Sequence, residues 1–89
     1  GALVAQRSLE SGDYQTARWA TARALLAAPD DELLIRWRIQ AEHLAGNRAE
    51  VERLVLRVTR HARRLGVDLD DETIAVIQES IEGRPRARA

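Results

Sequence analysis

Fourteen arginines, fourteen carboxylates and two histidines are the side chains of this chain with chemistry to offer. Arg53, Arg57, Arg60 and Arg64 recur at four- and three-residue intervals, with His61 and Arg63 beside them. On a helix that spacing makes one face, and a row of guanidiniums can grip the phosphates of a nucleic acid. Three observations weigh against that use. Glu50 and Glu52 precede the row, the chain is formally neutral, and no aromatic residue interleaves to stack on bases. The row reads first as a solvated, salt-bridged face, then as a surface for docking protein, and last as a contact for nucleic acid.

The other polar clusters carry less. His43 and His61 stand eighteen residues apart, and Glu42 is adjacent to His43 rather than one helical turn away. Adjacent helix positions point about 100° apart and do not converge on one ion, so no metal site is expected. The acidic run Asp68 to Glu72 lacks the internal glycine of a calcium loop and leads directly into a helix, where its carboxylates serve as caps. No serine sits in a glycine-flanked elbow, and no glycine-rich loop is present to cradle phosphate. The expectation is a protein without catalytic residues, metal, cofactor or small-molecule substrate.

These side chains must be positioned by a single small domain. At 89 residues the chain has room for one modest core and buries only about 60 to 65% of its unfolded surface. Strand formers are scarce: one Tyr, two Trp and no Phe against abundant Ala, Leu, Arg and Glu, which favours helix throughout. Balanced charge gives no field to concentrate the domain on nucleic acid or a membrane. No apolar run approaches the roughly 20 residues of a membrane span, so no membrane contact is expected. The absence of cysteine removes disulfides and thiolate sites. All fourteen basic residues are arginine, the bias of a high-GC genome. The chain has no methionine and opens inside a helical pattern, as a domain of a longer protein would.

Stop and start signals divide the chain into about five helices. The first occupies residues 2 to 10 and runs into Ser11-Gly12. Asp13 caps the second, whose Tyr14, Ala17, Thr21, Ala24, Leu25 and Ala28 share a face and which Pro29 ends. Asp30 caps the third, with a stripe of Leu34, Trp37, Ala41 and Leu44. Asn47 and Glu50 suggest a capping box for the fourth, which turns Val51, Leu54, Val55, Val58, Ala62 and Leu65 inward and stops at Gly66. Asp70 caps the fifth, with Leu69 and Ile74 as a hydrophobic staple and Ile74, Ile77 and Ile81 facing inward. The helical domain is assigned to residues 1–82, and the basic segment 83–89 is expected to be disordered.

The turns repeat. Gly12-Asp13 and Gly46-Asn47 stand 34 residues apart, the tetratricopeptide period. Gly12, Asp13, Tyr14, Ala17, Ala24, Leu25 and Pro29 resemble the second helix and closing proline of that repeat. Alanine at the crossing points lets stacked helices approach closely. Trp19 and Leu26, seven residues apart, are expected to pack against the next unit's first helix, the alternative being Trp19 as an exposed docking residue. The second unit departs from the pattern, with Val51 and Val58 for the alanines, Arg48 for the tyrosine and no following proline. The fold expected is therefore all-α: a tetratricopeptide-like helical repeat of about five antiparallel helices in a right-handed superhelix. Arg36, Gln40 and His43 are the candidates for its concave surface, and Arg53, Arg57, Arg60 and Arg64 for a second one.

A further resemblance covers about fifty residues. Leu33-Leu34, the turn AGNRAEV at residues 45 to 51, the stop Leu65-Gly66-Val67 and the acidic start Asp70-Asp71-Glu72 are similar to the end of the bacterial transcriptional activator domain of actinobacterial regulators. The resemblance implies a tetratricopeptide-like accessory module that self-associates or contacts other protein parts, beside a separate winged-helix domain that binds DNA. It thus implies a protein partner or a homo-oligomer, and a cytoplasmic location. Similar modules also end actinobacterial proteins with a membrane anchor and a peptidoglycan-binding motif, the alternative setting.

Overall fold

The structure, a computed structural model, describes residues 2–82, without the side chains of Ala2, Leu3, Ala5, Ser8 and Ser11. The expectation for the tail at 83–89 lies outside the described residues. Among them the chain is all-helical, with no strand: α1 (Ala2–Ser11), α2 (Tyr14–Ala27), α3 (Glu32–Leu44), α4 (Arg48–Leu65) and α5 (Asp71–Glu82).

The caps explain the boundaries. The Asp13 carboxylate accepts from the Thr16 N–H at 3.1 Å and opens α2 as expected. Capping of α3 falls to Asp31, not Asp30: its carboxylate accepts from the Leu34 N–H at 3.1 Å. Asn47 occupies the cap position of α4, but its side chain makes no capping bond. Its amide instead donates to Glu42 at 3.1 Å, and Glu50 turns to Arg53, so the expected capping box does not form. The start of α5 is held from another helix, because Glu32 Oε2 accepts from the Asp70 N–H at 2.8 Å and the Thr73 hydroxyl at 2.7 Å. Helices α3 and α4 end on left-handed glycines, Gly46 at φ 79° and Gly66 at φ 68°. In each case the next N–H reaches back to an orphan carbonyl, Asn47 to Glu42 at 2.8 Å and Val67 to Ala62 at 3.1 Å.

Helix α3 is the centre of the packing and touches each of the other four. It is accordingly buried on more than one stripe: Leu34 and Ala41, as expected, but also Ile35, Ile39 and Glu42. The expected stripe was too narrow, and its last member, Leu44, is exposed. The core joins Leu25 of α2, Leu34, Ile35 and Ile39 of α3, Val51, Leu54 and Val58 of α4 and Val76 of α5. Ala17 and Ala20 of α2 are fully or almost fully buried, where a larger residue would push the helices apart. Thr21 is buried beside them with its hydroxyl donating to the Ala17 carbonyl at 2.8 Å.

Two faces differ from expectation. In α5 the buried residues are Thr73, Val76 and Ser80, while Ile74 and Ile81 are about two-fifths exposed. Ile77 packs on the core as expected, while Thr73 faces inward with its hydroxyl on Glu32 and leaves Ile74 and Ile81 on the outer side. Leu65, at the last turn of α4, is also exposed rather than inward.

Candidate functional site

Two clefts bring the predicted residues to the surface, on different sides of α3. The first, of about 350 Å³, is lined by Gln6, Leu9 and Glu10 of α1, by Arg36, Trp37 and Gln40 of α3, and by Glu72 of α5. Arg36 and Gln40 are one helical turn apart and share this wall. Between them Trp37 packs its inner side on the core and offers the rest to the cleft. Arg36 Nη1 donates to the Thr73 hydroxyl at 3.4 Å, a long bond that steadies the guanidinium against α5. His43, one turn beyond Gln40, is half-buried and outside the lining, so the structure separates it from the other two candidates.

The second cleft, of about 280 Å³, lies between α2 and α4. Leu25, Leu26, Pro29 and Leu54 give it apolar surface, while Arg38, Arg53 and Arg57 supply charge. Arg53 Nε donates to Glu50 at 2.9 Å, and this bond holds the Glu50 carboxyl below its ordinary range and raises the Arg53 guanidinium. Arg57 donates to the Pro29 carbonyl and so ties α4 to the turn after α2. Arg60 and Arg64 are exposed further along α4. The four arginines therefore share a helix face, but only Arg53 and Arg57 reach the cleft. His61 Nδ1 lies 3.8 Å from Asp30 Oδ1, an ion pair only when the imidazole is protonated.

Trp19 and Leu26 do not pack against a neighbouring unit. Trp19 is 60% exposed and Leu26 85%. The Arg23 guanidinium lies 5.3 Å from the centre of the Trp19 ring, a surface cation–π contact. They form an exposed apolar edge beside the second cleft.

Beneath that cleft is an arrangement that sequence reading missed. Glu42 is fully buried; its Oε2 accepts from Arg38 Nε at 2.6 Å and its Oε1 from Asn47 Nδ2 at 3.1 Å. Arg18 Nε lies 2.9 Å from Oε1 with its N–H pointed off the oxygen, an ion pair without a hydrogen bond. Arg38 Nη2 also approaches Glu50 Oε2 at 3.6 Å. One carboxylate thus joins α2, α3 and the start of α4. The usable signal was the i, i+4 spacing of Arg38 and Glu42 on a helix whose neighbours lie on several sides.

Neither cleft presents a nucleophile with a base, and among the described residues no three His, Asp or Glu side chains gather as ligands for a metal. No described helix is long and apolar enough to cross a membrane. Comparison with family models, curated proteins and solved structures finds no match to this chain. The first cleft offers an aromatic side chain, an amide and a guanidinium in one row.

Proposed function

We propose that this domain is a non-catalytic protein-interaction module of tetratricopeptide-like architecture, the accessory type that the resemblance to the bacterial transcriptional activator domain implies. The observation that carries the reading is the first cleft, where α3 puts Arg36, Trp37 and Gln40 on one wall and α1 and α5 supply the rest of the lining. Contacts between alternate helices, α1 with α3 and α3 with α5, support stacked helix pairs, since a solenoid brings like helices of successive repeats together. In that arrangement α5 covers the second pair as a cap, and the five helices follow one another antiparallel in a right-handed superhelix. An extended or helical peptide laid along the cleft would stack on Trp37 and accept hydrogen bonds from Arg36 and Gln40. The parent would be an actinobacterial regulator in the cytoplasm.

The test is selection of peptides from a displayed random library, followed by titration against a Trp19→Phe background in which Trp37 is the remaining tryptophan. Binding should change Trp37 fluorescence, and Arg36→Ala or Gln40→Ala should weaken it about tenfold, the equivalent of about 1.4 kcal/mol. Undiminished affinity in both variants would refute the reading.

A further inference from the structure

The second cleft lies on the other side of the domain, and its neighbourhood is complementary to another part of the same chain. Around it, α2 contributes Arg18 and Arg23 and no acid, and α4 contributes Arg53 and Arg57. Glu42 is paired with Arg18 and Arg38, Glu50 with Arg53, and Asp30 stands beside the lining Pro29, so Arg18, Arg23, Arg38, Arg53 and Arg57 against Glu42, Glu50 and Asp30 leave the neighbourhood net basic. The lip is apolar, with Trp19 and Leu26 exposed at seven-residue spacing, about 10.5 Å along a helix.

Residues 67–82 have the opposite character. They contain Asp68, Asp70, Asp71, Glu72, Glu79 and Glu82 and no arginine. Ile74 and Ile81 of α5 are exposed at the same seven-residue spacing, and Asp71 precedes Ile74 by one turn on that face. Basic charge around one apolar pair and acidic charge beside the other, on a chain of zero net charge, make two halves of one contact.

We propose that the α2–α4 cleft and its Trp19/Leu26 edge receive α5 of a second copy of this chain, in a head-to-tail contact. Ile74 and Ile81 lie against Trp19 and Leu26, and Asp71 is drawn to the Arg53/Arg57 side. Two different patches meet, so a pair keeps one free cleft on one copy and one free α5 on the other, and association is open-ended unless the rotation closes a ring. One helix against one helix edge is a small interface, and weak, exchanging, salt-sensitive association follows. The proposal rests on the interaction-module reading but uses the face opposite Arg36 and Gln40, so its failure leaves the peptide test of that cleft unaffected.

Sedimentation equilibrium over about 10 to 500 μM protein tests it. The mass-average molecular weight should rise with concentration past that of a dimer, and raising salt from about 50 to about 500 mM should weaken association several-fold. Leu26→Asp, which spoils the cleft, and Ile81→Asp, which spoils α5, should each remain monomeric with unchanged helicity. Arg57→Glu and Asp71→Arg provide charge-only versions for either side. An equimolar mixture of Leu26→Asp and Ile81→Asp should form a dimer and stop there, because one chain keeps an intact α5 and the other an intact cleft. A wild-type chain that stays monomeric, single variants that still associate, or a mixture that stays monomeric would each overturn the proposal.

Discussion

Replacing Glu42 with alanine deletes a carboxylate that has no exposure, takes the acceptor from the Arg38 guanidinium and the Asn47 amide, and leaves Arg18 without its ion-pair partner. Each hydrogen bond to a charged group contributes about 1.5 to 3 kcal/mol, and breaking a buried pair from one side costs about 3 to 5 kcal/mol. The side chains of Arg18 and Arg38 retain 31% and 17% exposure, and Arg38 keeps Glu50 at 3.6 Å, so part of that cost is recovered by water and by the second acid. The expected loss is about 2 to 3 kcal/mol. For a domain of this size that lowers Tm by roughly 10 to 20 °C. Glu52→Ala is the matched control: its partner Arg48 lies 3.6 Å away and both side chains are more than half exposed. That change should cost less than about 1 kcal/mol. Combining Glu42→Leu with Arg18→Met and Arg38→Met should recover most of the loss, because no charge is then left without a partner. Urea unfolding followed by circular dichroism reads all three. Equal midpoints for Glu42→Ala and Glu52→Ala would refute the reasoning, since burial is the main feature that distinguishes the two acids.

Leu54 is 1% exposed at the α4 contact with the core, so Leu54→Asp should abolish cooperative unfolding and native helicity, and Val58→Asp should do the same; full helicity in circular dichroism would contradict the core assignment. Gly66 is left-handed with open space where a Cβ would stand, so Gly66→Ala should cost about 1 to 2 kcal/mol from backbone strain alone, read as a shift in urea midpoint. The Glu50 carboxyl is held low chiefly by the hydrogen bond from Arg53, and that of Asp13 chiefly by its bonds with Thr16. Groups whose folded pKa is depressed add stability that is complete above their unfolded values, about 4. The urea midpoint should therefore hold between neutral pH and about 5, then fall as acid protonates these carboxyls, and Arg53→Gln should reduce the part due to Glu50. A midpoint that rises on acidification would contradict the assignment.

The legible part of the fold was the part written in local chemistry. Gly12, Gly46 and Gly66 mark the helix ends because left-handed backbone is cheap mainly for glycine, and Asp13 marks a start because its carboxylate finds an N–H three residues on. Val51, Leu54, Val58 and Ala62 were legible as one stripe because α4 is buried on one side. The faces of α3 and α5 were not. A central helix meets neighbours on several sides, so Ile35, Ile39 and Glu42 make a second buried stripe beside that of Leu34 and Ala41. The start of α5 is held by Glu32, 41 residues before Thr73, a long-range contact with no local signature. Of the three concave-surface candidates on α3, Arg36 and Gln40 line the first cleft and His43 does not. Trp19 was misread: apolar residues at helical spacing suggest packing, but Trp19 and Leu26 both stay exposed, with Arg23 over the Trp19 ring.

The most direct measurement is amide chemical-shift mapping of the isotope-labelled domain with a library-selected peptide. Binding through the first cleft predicts the largest perturbations at Gln6, Leu9, Arg36, Trp37 and Gln40, on two helices far apart in sequence, with His43 and the end of α4 little changed. Perturbations confined to Arg60, Arg64 and their neighbours on α4 would contradict it.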